Sequence, residues 1–239
     1  MAQESPSPRE TSLKLLRFAD RAQLQSAVED RLQQALVTAT ADAPAIMLSG
    51  GTTPIPAYLE LAKRDLTPAP GLTLLFSDDR YVPSDSDQSN YHQSRPLFTS
   101  LRLREEQVLR IRTELPLADA TADSERRLTA LLAEGRRITL GLLGLGADGH
   151  TASLFAAGDL QRARARLAIS VHRPDGRDAV SVTPTVLERV EQLVFVVAGA
   201  DKRMALDALL RRATELIAWQ AVRGCRAVEV WADDAALLK

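Results

Sequence analysis

Short apolar runs recur along almost the whole 239-residue chain. Most break into a loop, several of these rich in glycine, serine or aspartate, and then into a helix-like stretch. This alternation constrains the fold more than any other feature, because it is the pattern of strands and crossover helices in a parallel sheet. Residues 138–143, ITLGLL, are apolar on both faces. A central parallel strand needs this, since helices cover it on both sides. The run enters Gly144-Leu145-Gly146-Ala147-Asp148-Gly149-His150. Runs at 45–48 and 72–76 break into Ser49-Gly50-Gly51-Thr52-Thr53-Pro54 and Ser77-Asp78-Asp79-Arg80. Further strands are expected at 108–111, 167–171, 179–182, 193–197 and 227–231.

Helical periodicity fills the intervals. Leu24, Val28, Leu32, Ala35 and Leu36 recur at spacings of three and four, which predicts a helix over 20–40 with Asp20 as N-cap. Pro54 suits the first turn of a helix over 54–63. Residues 88–101 read as helical apart from an interruption at Pro96, and 118–132 as a helix with Gly135 just past its end. A short helix from about residue 151, one helical turn at 186–190 and a helix over 201–212 complete the pattern. The expected architecture is one α/β domain over 18–239, a sandwich around a mostly parallel sheet, preceded by a frayed segment, 1–17, that opens with Ser and Pro.

Composition narrows the function. Thirty Lys and Arg balance 31 Asp and Glu, for a net charge of −1, so the whole molecule carries no basic footprint for nucleic acid. A single cysteine, Cys225, rules out an internal disulfide and cannot build a zinc site. No run approaches 18 apolar residues, and MAQESPSPRE lacks the apolar core of a signal peptide. A cytoplasmic protein with no membrane or nucleic-acid partner is expected.

In an open parallel sheet, ligands bind beyond the carboxyl ends of the strands. Four features fall there: Ser49–Thr53, Asp78–Arg80, Gly144–His150 and 199–202, which ends in Lys202. In Ser49-Gly50-Gly51-Thr52, glycines admit an anion to the backbone, hydroxyls donate to it and a helix start offers free N–H groups. The same sequence also suits a tight turn without a ligand, and it lacks the Gly-Lys-Ser/Thr ending of a P-loop. Gly144-x-Gly146-x-x-Gly149 matches the dinucleotide fingerprint in form. However, no acidic residue follows at the usual distance, the helix after it soon meets Ala156-Ala157-Gly158, and only an arginine among 164–170 would suit a 2′-phosphate.

His150 stands at a strand end with Asp148 two residues before it. An imidazole titrates ordinarily near pH 6.5 and suits general-base activation of water, and a nearby carboxylate can orient it. A capping or surface histidine is the plainer reading, and it is the one given to His92 and His172. Ser49 lacks the G-x-S-x-G elbow of a nucleophile, and no H-E-x-x-H or cysteine cluster supports a metal. Asp78 and Asp79 read as hydrogen-bonding carboxylates, and Arg162, Arg164 and Arg166 as a solvated face.

Four segments together resemble the 6-phosphogluconolactonase family: Ser49-Gly50-Gly51-Thr52-Thr53-Pro54; Asp78-Asp79-Arg80-Tyr81-Val82-Pro83; Asp87-Gln88-Ser89-Asn90; and the run from Gly144 through His150-Thr151-Ala152-Ser153-Leu154-Phe155. Ordered matches extend from about residue 18 to the last strand. Related glucosamine-6-phosphate deaminases continue the Gly-Asp-Gly-His segment differently, typically with Ile-Ala-Phe-Asn-Glu. The resemblance implies a Rossmann-like three-layer α/β/α sandwich shared with sugar-phosphate isomerases. It also implies hydrolysis of 6-phospho-D-glucono-1,5-lactone, in the oxidative pentose phosphate pathway, without cofactor or metal. His150 would activate water with Asp148 beside it. Ser49, Gly50, Gly51, Thr52, Asp78, Arg80 and Lys202 would form the substrate and phosphate site. Three positions depart from the family pattern: Asp79 replaces a glutamate, Ala156 a proline, and Ala179 an arginine that helps hold the phosphate, with Arg177 two residues earlier. A deaminase or isomerase on the same pocket and a non-enzymatic sugar-phosphate sensor stay open as alternatives, as does the choice between monomer and dimer.

Overall fold

In the computed structural model, which describes residues 11–38 and 43–237, the apolar runs become neighbouring strands of one sheet. Their order is β1 (Ser12–Phe18), β10 (Ala227–Asp233), β9 (Leu193–Val197), β6 (Ile138–Leu143), β2 (Ala45–Leu48), β3 (Thr73–Phe76) and β5 (Val108–Leu109). Every neighbouring pair is parallel. Side chains alternate across the pleat, so each central strand feeds two cores. Ile46, Leu48, Leu74, Phe76, Leu140 and Leu142 pack with Leu24, Leu32, Tyr58 and Leu97 on one side. Those partners come from α1 (Arg21–Val37), α2 (Pro54–Leu61) and α3 (Asn90–Ser100). Met47, Leu75, Leu143, Phe195 and Val230 face the other core. There they meet α4 (Leu117–Ala133), α6 (Pro184–Leu187), α7 (Arg203–Leu210) and α8 (Ile217–Val222), with the short α5 (Ala157–Arg162) at its border. Each fully buried leucine contributes roughly 1.5–3 kcal/mol, so these two faces supply the main drive for folding. The result is the expected three-layer sandwich.

A second sheet, antiparallel, joins β4 (Asp78–Arg80), β8 (Asp178–Val182) and β7 (Ala168–His172). Its apolar residues Ile169, Val171, Val180 and Val182 complete the second core.

Several expectations need correction. Ser12–Phe18, part of the segment expected to fray, is an edge strand; both its faces are partly exposed, and the parallel ladder to β10 holds it. Residues 1–10 lie outside the described residues. Asp78–Arg80 pairs as a strand instead of forming a loop, because β8 supplies a partner far away in sequence. No helix starts at 151: Thr151 and Leu154 form an isolated bridge, and α5 begins only at Ala157. Pro96 does not interrupt α3. It lies on the exposed face, where water can take the freed carbonyl, while Leu97 and Phe98 anchor the opposite face. Lys202 closes a 3₁₀ turn, Ala200–Lys202, that precedes α7. The helix α8 was not expected at all.

From β2 the chain builds outward through β3 to β5, and then returns to add β6 on the other side of β2. The sheet therefore reverses its winding between β2 and β6, and a crevice opens beyond their carboxyl ends.

Candidate active site

A cavity of about 300 Å³ occupies that crevice. Ser49, Gly50, Gly51 and Thr52 follow β2, Asp78 and Arg80 lie on β4, Gly144 and Gly146 follow β6, and Lys202 follows β9; all of them line it together with His150. Asp148 reaches the cavity through His150.

The loop 144–150 is closed on itself. The Gly146 N–H donates to the His150 carbonyl at 2.9 Å, and the Gly149 N–H to the Gly146 carbonyl at 3.0 Å. Gly149 has φ +85°, and a side chain there would also strike Leu216. The Ala218 N–H of α8 donates to the Gly149 carbonyl at 2.9 Å and pins the loop from outside. Inside it, His150 Nδ1 meets Asp148 Oδ1 at 2.5 Å. A carboxylate there selects the Nδ1–H tautomer, so Nε2 carries the lone pair that can accept a proton. Burial pushes the Asp148 carboxyl up, but the hydrogen bond and charge of His150 outweigh this and hold it below its ordinary range. Phe155 packs on the imidazole with ring centroids 4.3 Å apart.

Two glycines have reasons that the sequence did not reveal. A Cβ on Gly146 would overlap His150 Nδ1 and Asp148 Oδ1, so this glycine makes room for the histidine–aspartate pair and not for a dinucleotide. A Cβ on Gly50 would overlap the side-chain amide of Asn90. Asn90 also donates from Nδ2 to the Asp78 carbonyl at 2.8 Å and accepts from Arg80 Nη1. It therefore joins the glycine loop, β4 and the start of α3. Gly51, at φ +110°, does need glycine for its own backbone.

The Asp78 carboxylate accepts from Ser77 Oγ at 2.9 Å and from Ser153 Oγ at 2.6 Å, which holds the loop after His150 against β4. Asp79 lies deeper and caps α3, accepting from Ser89 Oγ at 2.8 Å, the Asn90 N–H at 2.6 Å and the Tyr91 N–H at 3.0 Å. Burial pushes its carboxyl from the ordinary 3.8 up to about 6 against the pull of these donors, with Asp78 adding to the rise. Folded Asp79 thus keeps its proton to a higher pH than unfolded Asp79. Stability from this group is fully present below about pH 4 and is lost as pH rises to about 6, by roughly 3 kcal/mol. In urea unfolding across pH 4–7, wild type is expected to lose this increment relative to Asp79→Asn. A pH-independent difference between the two would contradict it.

Ser49 exchanges backbone hydrogen bonds with the Tyr58 hydroxyl, at 3.2 and 3.0 Å. Ser49 lines the cavity, while its own Oγ is buried and has no hydrogen-bond partner among the described residues. Lys202 pairs with Asp201 at 3.2 Å. Ala179, where the resemblance implies an arginine, is fully buried and faces Arg80 and Val171 across the small sheet. Arg177 is exposed and does not line the cavity. Among the other residues that line it, Asn90 and Arg173 carry side chains to which the sequence reading gave no role. Asn90 sits within a quoted motif, but Arg173 had no signal in a stretch already rich in arginine.

Among the described residues, no three His, Cys, Asp or Glu side chains are placed to hold a metal ion. Dialysis against a strong chelator is expected to leave turnover unchanged, and a loss restored by one divalent ion would contradict this. Among the same residues, no helix is long and apolar enough to cross a membrane.

A histidine oriented by an aspartate, in a cation-lined cavity at the switch point of a parallel sheet, defines a small-molecule site of the Rossmann-like α/β class. The family model described as glucosamine-6-phosphate isomerases/6-phosphogluconolactonase matches residues 19–231, and the chain belongs to that family. It is 31% identical to 6-phosphogluconolactonase of Thermotoga maritima over 170 residues, covering 70% of this chain and 74% of that one. It is 35% identical to 6-phosphogluconolactonase of a Synechocystis strain over 173 residues, covering 67% and 69%. The crystal structure of the Thermotoga maritima 6-phosphogluconolactonase superposes with a TM-score of 0.76 at 26% identity, over 94% of this chain and all of that one.

Proposed function

We propose that this protein hydrolyses 6-phospho-D-glucono-1,5-lactone to 6-phosphogluconate, the lactonase step of the oxidative pentose phosphate pathway, in the cytoplasm and without a cofactor. The observation that carries the reading is the His150 Nδ1–Asp148 contact of 2.5 Å at the cavity wall. The relatives named 6-phosphogluconolactonase support the choice of substrate.

Nε2 of His150 takes a proton from water as the water oxygen attacks C1 of the lactone. Negative charge develops on the carbonyl oxygen, and backbone N–H groups of the glycine loops offset it. The C1–ring oxygen bond then breaks, and the imidazolium, stabilised by Asp148, returns the proton to the ring oxygen. The acid formed ionises to the carboxylate of 6-phosphogluconate. Gly50, Gly51 and Thr52 offer donors to the phosphate, and Arg80 and Lys202 offer charge. Asp78 keeps the wall in place.

The deaminase reading differs in its product. Purified protein supplied with glucosamine 6-phosphate is expected to release no ammonia, while the same preparation consumes the phosphorylated lactone. Ammonia release without lactone consumption would replace this proposal with the deaminase reading.

A further inference from the structure

Arg173 opens the turn between β7 and β8. Its N–H donates to the Arg177 carbonyl at 2.7 Å, and the Gly176 N–H donates to the Arg173 carbonyl at 3.0 Å. Although it stands at the tip of a hairpin, its side chain is only 13% exposed, against 26% for Lys202. The guanidinium lies 5.1 Å from the centroid of the Phe155 ring, which in turn packs on His150. Nη1 donates to Ser153 Oγ at 3.2 Å, and the Ser153 proton goes to Asp78. Nε and Nη2 face Asp175 Oδ2 at 3.2 and 3.1 Å.

Those last distances are long for charge-assisted bonds, which ordinarily close to about 2.7–2.9 Å. Asp175 is itself 40% exposed and carries one charge. A phosphate offers three acceptor oxygens and roughly −1.5 to −2 charge, a better match to the planar fork of an arginine. From this geometry we infer that Arg173 is a specificity-determining residue that grips the phosphate of the substrate, with Asp175 holding the fork until the phosphate takes its place. The inference rests on the sugar-phosphate reading above and adds a residue to it.

The test compares wild type with Arg173→Met, which keeps an apolar stem over Phe155, and with Arg173→Lys, which keeps the charge. The substrates are the phosphorylated lactone and unphosphorylated gluconolactone, with spontaneous hydrolysis subtracted. Calorimetry with 6-phosphogluconate and with gluconate is run alongside. Arg173→Met is expected to lower kcat/KM for the phosphorylated lactone and affinity for 6-phosphogluconate by about 10–100-fold, the usual effect of losing hydrogen bonds to a charged group. Arg173→Lys should recover part of the loss, and the unphosphorylated compounds should respond little. Equal losses on both lactones would overturn the inference and make Arg173 a structural support for Phe155 and Ser153. An unchanged kcat/KM on the phosphorylated lactone would overturn it while leaving the lactonase reading intact. If wild type hydrolyses neither lactone but binds 6-phosphogluconate through Arg173, the lactonase reading fails and the phosphate grip stands.

Discussion

Replacing His150 with alanine is expected to lower turnover of the phosphorylated lactone by on the order of 10²–10⁴, the usual contribution of a general base. The fold should barely respond. The imidazole is 27% exposed, and its partner Asp148, at 57%, remains hydrated once the pair is broken. What is lost is the Phe155 contact and one hydrogen bond at the rim of a cavity, and neither supports a core. The thermal midpoint should therefore stay close to that of wild type while turnover collapses. A purified, folded variant that keeps more than about a tenth of wild-type turnover would remove His150 from the role of base.

Gly146→Ala should be nearly as damaging although it adds only a methyl group. The new Cβ would overlap both His150 Nδ1 and Asp148 Oδ1, so the pair must shift or separate. A displacement of about 1 Å in a positioned catalytic group can cost on the order of 10²-fold in rate. The expected signature is a fall in kcat with KM close to wild type, because the residues proposed to hold the phosphate, Gly50, Gly51, Thr52 and Lys202, are not among those the methyl would strike. Gly158→Ala is the matched control. Outside the backbone of α5 itself, its Cβ would meet nothing nearer than the flexible Arg162 Nη1 at 3.9 Å, and alanine favours the helix α5. Loss of activity in both variants would point to general intolerance of the region, whereas wild-type turnover in Gly146→Ala would mean that the pair relaxes around the methyl.

The sequence was most legible where one segment determines its own structure. Ile138–Leu143 and Leu193–Val197 are apolar on both faces, and a strand between two helical layers has no other option. Asp20 caps α1 as expected, accepting from the Gln23 N–H at 2.9 Å. Legibility ended where the partner is distant in sequence. The edge strand Ser12–Phe18 is defined by β10, more than two hundred residues on, and Asp78–Arg80 by β8. The glycines show the same limit. Gly50 and Gly146 were recognised as special positions, but their neighbours Asn90 and the His150–Asp148 pair became visible only with the loops folded. Arg173 was hidden for a related reason. Nothing local separates it from Arg162, Arg164, Arg166 or Arg177, and only the register of β7 against β8 turns it toward the cavity.

The most direct measurement is the rate at which purified wild-type protein removes 6-phospho-D-glucono-1,5-lactone at neutral pH, with formation of 6-phosphogluconate followed enzymatically and spontaneous hydrolysis measured in parallel. The expected rate exceeds the blank in proportion to enzyme concentration and falls to near the blank with His150→Ala. A rate equal to the blank at every enzyme concentration would contradict it.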